Sequence, residues 1–348
     1  MKTLAYTVCF NIPAFLGNAE QNGQWRTPPI KALIRQWWRV AYAADKHFVV
    51  DITQMRQAEG RLFGIASDGD GESRKSQIRI RLDRWDEGSL KKAQWQALAA
   101  VPHPEVPRPV SSDLYLGYGP VTLPRGENRP TLKANAAIQS GETATLSIAV
   151  PESDAALIEQ ALMLMHRYGT AGGRSRNGWG SFALRPLPPG EGWGEGNLVL
   201  RPWKDCLKLD WPHALGKDDR GALIWQTPPF ADWKAVMKRL AEIKIGLRTQ
   251  FTFPNEQPPH RQVQDRHWLS YPITNHATTA WDRNARLPNS LRFKVRQATD
   301  NQLVGVIFHV PCLPPAQFNP DIHTIQAVWQ KAHAFLDAPA QTLTRIAE

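Results

Sequence analysis

The run Gly169-Thr-Ala-Gly-Gly-Arg-Ser-Arg-Asn-Gly-Trp-Gly-Ser181 stands between a helical pattern and a strand pattern, in that order. On its N-terminal side, Ser153 to Tyr168 reads as a helix whose charges match the macrodipole, with Glu152 and Asp154 at the start, His166 and Arg167 at the end, and Gly169 as the stop. On its C-terminal side, Trp179 to Leu184 reads as a strand. Glycine loops of the Rossmann and Walker types run from strand to helix, so this loop, which runs the other way and lacks G-x-x-x-x-G-K-[ST], belongs to neither.

Working outward, Thr143 to Val150 reads as a strand feeding the helix. At the N-terminus Leu4, Tyr6, Val8, Phe10 and Ile12 alternate with smaller or polar residues, a strand period that argues against a secretory leader. Ile30, Leu33, Ile34, Trp37, Trp38 and Ala41 then draw one helical stripe, with Thr27 as cap and Pro28-Pro29 in the first turn. Strands are expected at Arg61 to Ala66 and Ser76 to Leu82, around a polar loop, Ser67 to Lys75. The resulting order, β-α-β-β-α-β, is the ferredoxin-like arrangement and makes the fold class α+β.

Seven prolines between residues 102 and 130 indicate an extended insertion, spanning about 100–135, in place of a packed element. The Pro/Gly run Arg185 to Asn197 is the expected boundary, giving a first domain at residues 1–190 and a second at 191–348. In the latter, helices are expected at Ala231 to Gly246 and Ile322 to Leu336, strands at Ser290 to Gln297 and Leu303 to Val310, and a Pro-rich loop at Pro254 to Pro259. This partial repeat suggests tandem ferredoxin-like (RRM-like) domains, the second degenerate.

With 348 residues, 42% hydrophobic, the chain can build real cores, which excludes wholesale disorder. Its 42 Lys and Arg against 32 Asp and Glu leave +10 at pH 7, a field that favours polyanions, nucleic acid first. Cys9, Cys206 and Cys312 are too dispersed for a disulfide framework or a C-x-x-C site, which fits a cytoplasmic protein. The most apolar helical stretch, Ala155 to Met165, is interrupted by Glu159 and Gln160, so no membrane span is expected.

Three basic features carry the candidate chemistry. In the glycine loop, freed amides together with Arg174 and Arg176 suit phosphate oxygens and read as a phosphate cradle, with a merely structural helix-to-strand turn as the lesser alternative. On the first helix Lys31, Arg35 and Arg39 recur every four residues, forming a ridge roughly 90 to 170° from the centre of the apolar stripe. Trp37 lies near that centre and is assigned to the core; Trp38 lies on the border, where it can either pack inward or stack on an unpaired base. A third cluster comprises Arg283, Arg286, Arg292, Lys294 and Arg296, with the last three on one strand face that a solvated surface would also explain.

Enzymatic signatures are sparse. There is no H-E-x-x-H or G-x-S-x-G, and His260, His267 and His276 lack a metal-ligand pattern, so no catalytic residue, metal or cofactor is assigned. Asp68-Gly-Asp70-Gly-Glu72 fails the EF-hand spacing and reads as a turn, while His47 and Asp51 offer an unspecific acid-base pair.

Three segments together resemble a known family: Pro13-Ala-Phe-Leu-Gly17, Trp25-Arg-Thr-Pro-Pro-Ile-Lys-Ala-Leu-Ile-Arg-Gln-Trp-Trp-Arg39 and Gly172-Gly-Arg-Ser-Arg-Asn-Gly-Trp-Gly-Ser181. They look like the RAMP superfamily of CRISPR proteins and, more narrowly, are similar to the first-subunit family of the type III-B Cmr effector complex. Leu269-Ser-Tyr-Pro-Ile273 and Arg286-Leu-Pro-Asn-Ser290 resemble its downstream segments loosely, and no second glycine-arginine loop precedes Glu348. The resemblance implies a non-catalytic, RNA-binding subunit of a ribonucleoprotein. Such a subunit would contact the 3′ region of the guide RNA, help capture target RNA and dock on other CRISPR effector subunits. Carried over by position, Lys31, Arg35, Trp38, Arg39, Gly172, Gly173, Arg174, Ser175 and Arg176 become candidate RNA contacts, with Arg286 and Arg292 added from the third cluster. About six phosphate contacts on a single strand would give a log K against log salt slope of about −4. Two alternatives stand beside this: a guide-processing endoribonuclease of the same superfamily, and an assembly scaffold whose exposed tryptophans bind partner subunits with little RNA affinity.

Overall fold

In the computed structural model, which describes residues 1–66, 73–187, 199–255, 257–299 and 301–347, the first strand β1 (Lys2–Phe10) buries Leu4, Tyr6, Val8 and Phe10 and leaves the alternate side chains at least partly exposed, as the period demands. Helix α1 (Thr27–Asp45) begins with both prolines in its first turn, and Arg26 occupies the cap position, so Thr27 is the first helical residue instead of the cap. A second helix, α2 (Ile52–Phe63), follows directly. It occupies the stretch where a strand from Arg61 to Ala66 was expected; only Ile65 there pairs, in an isolated bridge with Arg74. The helix wins because Asp51 caps it, accepting from the Gln54 amide at 3.0 Å, and because Met55, Glu59, Leu62 and Phe63 fall on one buried stripe. Gly64 ends it at φ +85.

Strands β2 (Arg79–Leu82) and β3 (Thr143–Val150), helix α3 (Ala155–Tyr168) and strand β4 (Phe182–Pro186) complete the series. Neighbouring strands are antiparallel in the order β4-β1-β3-β2, so the chain visits the sheet as 4-1-3-2. The inward rows of β1, β3 and β4 form a core with the buried stripes of α1 and α3, which pack on each other.

Further along, strand β5 (Ile224–Gln226), helix α4 (Trp233–Thr249), strands β6 (Leu291–Thr299) and β7 (Gln302–His309), helix α5 (Ile322–Asp337) and strand β8 (Thr344–Arg345) give a second four-stranded sheet in the order β6-β7-β5-β8. Read from the β8 edge this is again 4-1-3-2. These elements of the second half thus run β-α-β-β-α-β, and the short strands are the inner β5 and the edge strand β8. β5 and β8 escaped the sequence because two or three residues show no period.

Contacts divide the chain into two compact units. Met1–Ala97, Leu116–Val199 and Lys294–Arg296 form the first, and Leu98–Tyr115, Leu200–Phe293 and Gln297–Glu348 the second. The proline-rich stretch is thus divided between them, and it contains a packed element, the short helix Ser112–Gly117, with Ser112 and Asp113 fully buried. The expected Asp68–Glu72 turn and most of the 185–197 boundary lie outside the described residues. No described helix is long and apolar enough to cross a membrane.

Candidate nucleic-acid interface

The glycine loop leaves the C-terminus of α3 and returns into β4 through a bridge between Thr170 and Ser181. Its base is buried and its tip, residues 172–177, is exposed or half-exposed. Trp179 anchors the base, fully buried against Phe15 and Trp95 at centroid distances of 5.1 and 5.9 Å. Gly172 sits at φ +92 with the Phe15 carbonyl only 2.6 Å from where a Cβ would stand, so no other residue fits the approach.

Several amides that the sequence offered to phosphate are committed within the fold. Gly173 donates to the Phe15 carbonyl at 3.0 Å, Gly180 to that of Pro13 at 2.9 Å, and Asn177 and Gly178 to those of Arg174 and Ser175. The glycines thus serve first as a structural turn, and what the tip presents outward is the side chains of Arg174, Ser175 and Arg176. The proline-rich segment braces it from the side: the Asn177 amide nitrogen donates to the Leu116 carbonyl at 2.7 Å, and Arg174 Nε to the Tyr118 carbonyl. Tyr118 itself is 65% exposed beside Arg174. It is the aromatic group the sequence did not single out, because nothing local marks a tyrosine 56 positions upstream as a neighbour of the loop.

Helix α1 starts at the same end of the sheet, since the Trp25 ring meets Phe10, the last residue of β1, at 5.2 Å and Phe10 pairs with Phe182. Lys31 is the ridge residue nearest that end; Arg39 lies about 12 Å further along the axis. The ridge is not a free cationic face. Arg35 Nε and Arg39 Nε lie 2.8 and 2.6 Å from Glu59 Oε1, and Arg39 Nη2 donates to Glu59 Oε2 at 2.9 Å. Burial pushes the Glu59 carboxyl up, but the hydrogen bonds from Arg35 and Arg39 outweigh it and hold the group below the ordinary carboxylate range.

Trp38 is corrected by the same helix. At 1% exposure it packs on Phe63 of α2 and on Tyr42, with centroids 5.8 and 5.0 Å away, and cannot stack on a base. Trp37 is core, as expected. Asp51 accepts from the Gln54 amide as the α2 cap, and His47 is exposed.

The third basic cluster separates. Arg283 and Arg286 are exposed in the second unit, where Arg286 Nη1 donates to the Ala285 carbonyl at 2.8 Å. Arg292 is buried and Lys294 entirely so, contrary to the exposed strand face that both the RNA-contact and the solvated readings supposed. Lys294 Nζ donates to the carbonyls of Met165 and His166 at the end of α3 and lies 5.1 Å above the Phe182 ring, so it closes a helix C-terminus. Burial, reinforced by Lys294, pushes the His166 imidazole down to about 3. Among the described residues no group of His, Cys, Asp and Glu is arranged to hold a metal ion.

The chain matches the model of the RAMP superfamily over residues 13–183. Over nearly its whole length it is also similar to two solved structures. One is Cmr1 from Pyrococcus furiosus in its apo form, at 15% identity and TM-score 0.45 over 97% of this chain and 98% of that one. The other is a chain of the type III-B Cmr-β complex bound to cognate target RNA, at 11% identity and TM-score 0.46 over 96% and 99%. A chain of a type IV-B CRISPR complex matches 58% of this chain at 13% identity and TM-score 0.32. No curated protein matches.

Proposed function

We propose that this chain is a non-catalytic RNA-binding subunit of a type III-B CRISPR effector ribonucleoprotein in the cytoplasm, contacting the 3′ region of the guide RNA and helping to capture target RNA. The strand order shared by the two sheets is the reason to read it as two ferredoxin-like units in tandem. One observation carries the RNA reading: the loop tip at residues 172–177 is held outward by Phe15 and the 116–120 segment, with two arginines and the exposed Tyr118 at one edge. Guanidinium forks grip phosphodiester oxygens, and a phenol ring stacks on an unpaired base without reading its identity. Sequence selection is then left to pairing between guide and target.

The test is binding of single-stranded RNA by the full chain in EDTA across a salt series. Replacing both Arg174 and Arg176 by Ala is expected to lower affinity and to flatten the log K against log salt slope by about 1.4, the share of two phosphates. Unchanged affinity and slope would refute the reading. Specific cleavage of repeat RNA in EDTA, abolished by His47→Ala, would instead make the chain a processing nuclease.

A further inference from the structure

The second unit contains a charge imbalance that the RNA-binding loop does not explain. Arg248, in the last turn of α4, has a largely buried guanidinium with no hydrogen bond or ion pair to any described residue. Arg266, in the 3-10 turn Asp265–Trp268, is 4% exposed; its Nη1 meets Glu105 Oε1 at 2.5 Å and its guanidinium lies 5.4 Å from the Phe253 ring. The Nε atoms of both arginines and the hydroxyl of Tyr115 are buried without a partner. Tyr115 packs edge-on against His103 at 5.7 Å, and the Lys244 ammonium stands 5.9 Å from its ring.

Two guanidiniums are therefore opposed, among the described residues, by one paired carboxylate, Glu105, which is itself partly exposed. Burial holds Arg248 below its ordinary range and Tyr115 above its own, and Glu105 offsets only part of the effect on Arg248. A buried cation without a counter-ion is strongly disfavoured, and three donors left without acceptors add to the penalty. Both costs vanish if an anion with several acceptor oxygens occupies the place. Tyr115 and Arg248 remain partly open to solvent, which gives such an anion a way in.

We infer that Arg248, Arg266 and Tyr115 form a phosphoryl-binding site, built where segment 98–115 meets the end of α4 and the Asp265–Trp268 turn. Forked guanidinium donors and a phenol from three separate stretches suit a tetrahedral oxyanion better than a planar carboxylate. The phosphoryl group is either inorganic phosphate or a phosphodiester of a bound polynucleotide. The site lies in the second unit and does not depend on the loop reading.

The experiment is thermal unfolding of the full chain in sodium phosphate against sodium chloride at matched ionic strength. The wild-type midpoint is expected to rise specifically with phosphate. Arg248→Met, which keeps the stem and removes the charge, is expected to unfold higher than wild type in chloride and to lose the phosphate-dependent rise. Tyr115→Phe, a change that spares the packing, is expected to retain the fold and weaken phosphate about tenfold. Absence of a phosphate-specific rise in wild type, or the same rise in both variants, would overturn the site.

A second arm titrates a uridine 12-mer. If the group is a backbone phosphodiester, Arg248→Met flattens the salt slope by about 0.7; an unchanged slope with the phosphate rise lost assigns the site to inorganic phosphate. Because Arg174 and Arg176 are left intact, loss of this site and failure of the loop reading give different results.

Discussion

Glu59 is the residue whose removal most directly separates an RNA-contacting ridge from a structural clamp. Its side chain is 4% exposed, whereas those of Arg35 and Arg39 are 43% and 39% exposed, so the acid is buried beneath two arginines that still reach solvent. Glu59→Gln keeps the shape and changes the local charge from +1 to +2. Breaking a fully buried ion pair costs about 3 to 5 kcal/mol, but here water can resolvate both guanidiniums, so the loss of stability is expected to be about 1 to 2 kcal/mol. If the ridge faces RNA, the two released arginines gain up to two phosphates and the log K against log salt slope steepens by as much as about 1.4. Fluorescence anisotropy of a labelled single strand at four or more salt concentrations reads the slope, and a thermal melt reads the stability. Lower stability with unchanged affinity and slope would refute the ridge as an RNA surface, leaving Arg35 and Arg39 as the fastening of α2 to α1.

Other expectations follow from the loop and from the buried histidines. Tyr118→Ala removes an exposed ring, so the melting midpoint should hardly move while single-stranded RNA affinity falls by about 1 to 3 kcal/mol per lost stack; equal affinity in a binding titration would dismiss Tyr118 as a platform. Gly172→Ala places a Cβ 2.6 Å from the Phe15 carbonyl at φ +92 and should cost about 1 to 3 kcal/mol in a denaturant titration while also weakening RNA, because the tip is displaced. Burial pushes His166 down to about 3 and both His213 and His333 down to about 4. Unfolding frees these rings to take protons near their ordinary pKa of about 6.5, so stability is flat above that pH and falls below it by about 1.4 kcal/mol per pH unit for each ring until its folded pKa is reached. A denaturation midpoint that stays constant from pH 7 to 5 would contradict the burial of these groups.

The parts of the fold legible in the sequence are those with a full period: the alternation of β1 and β3, the stripes of α1, α3, α4 and α5, and the helix-to-strand direction of the glycine loop. The misses share a physical cause, which is that a distant segment settled a local ambiguity. Arg61 to Ala66 resembles a strand when taken alone, and the signal that overrules it lies ten residues earlier, where Asp51 caps α2. Trp38 sits on a stripe border, and only the arrival of Phe63 places it inside. Lys294 alternates with other cations as a wet strand would, yet the carbonyls it satisfies belong to residues more than 120 positions away.

The same cause redistributes the basic charge. Net charge says that anions are favoured without saying which cations remain available, because each arginine can be spent internally on a carboxylate, a carbonyl or a ring. Here Arg35 and Arg39 share one buried acid, Lys294 closes a helix, and Arg292 is buried. Arg174 is different: among the described residues only its Nε is used, on a main-chain carbonyl, and that bond aims the fork without neutralising it. An arginine held by a neutral acceptor keeps its full charge for a phosphate, whereas one held by a carboxylate must first give up its partner. On the proposed RNA reading, the cations ready for phosphate therefore concentrate on the loop tip, and the α1 ridge would contribute to the extent that RNA can compete with Glu59.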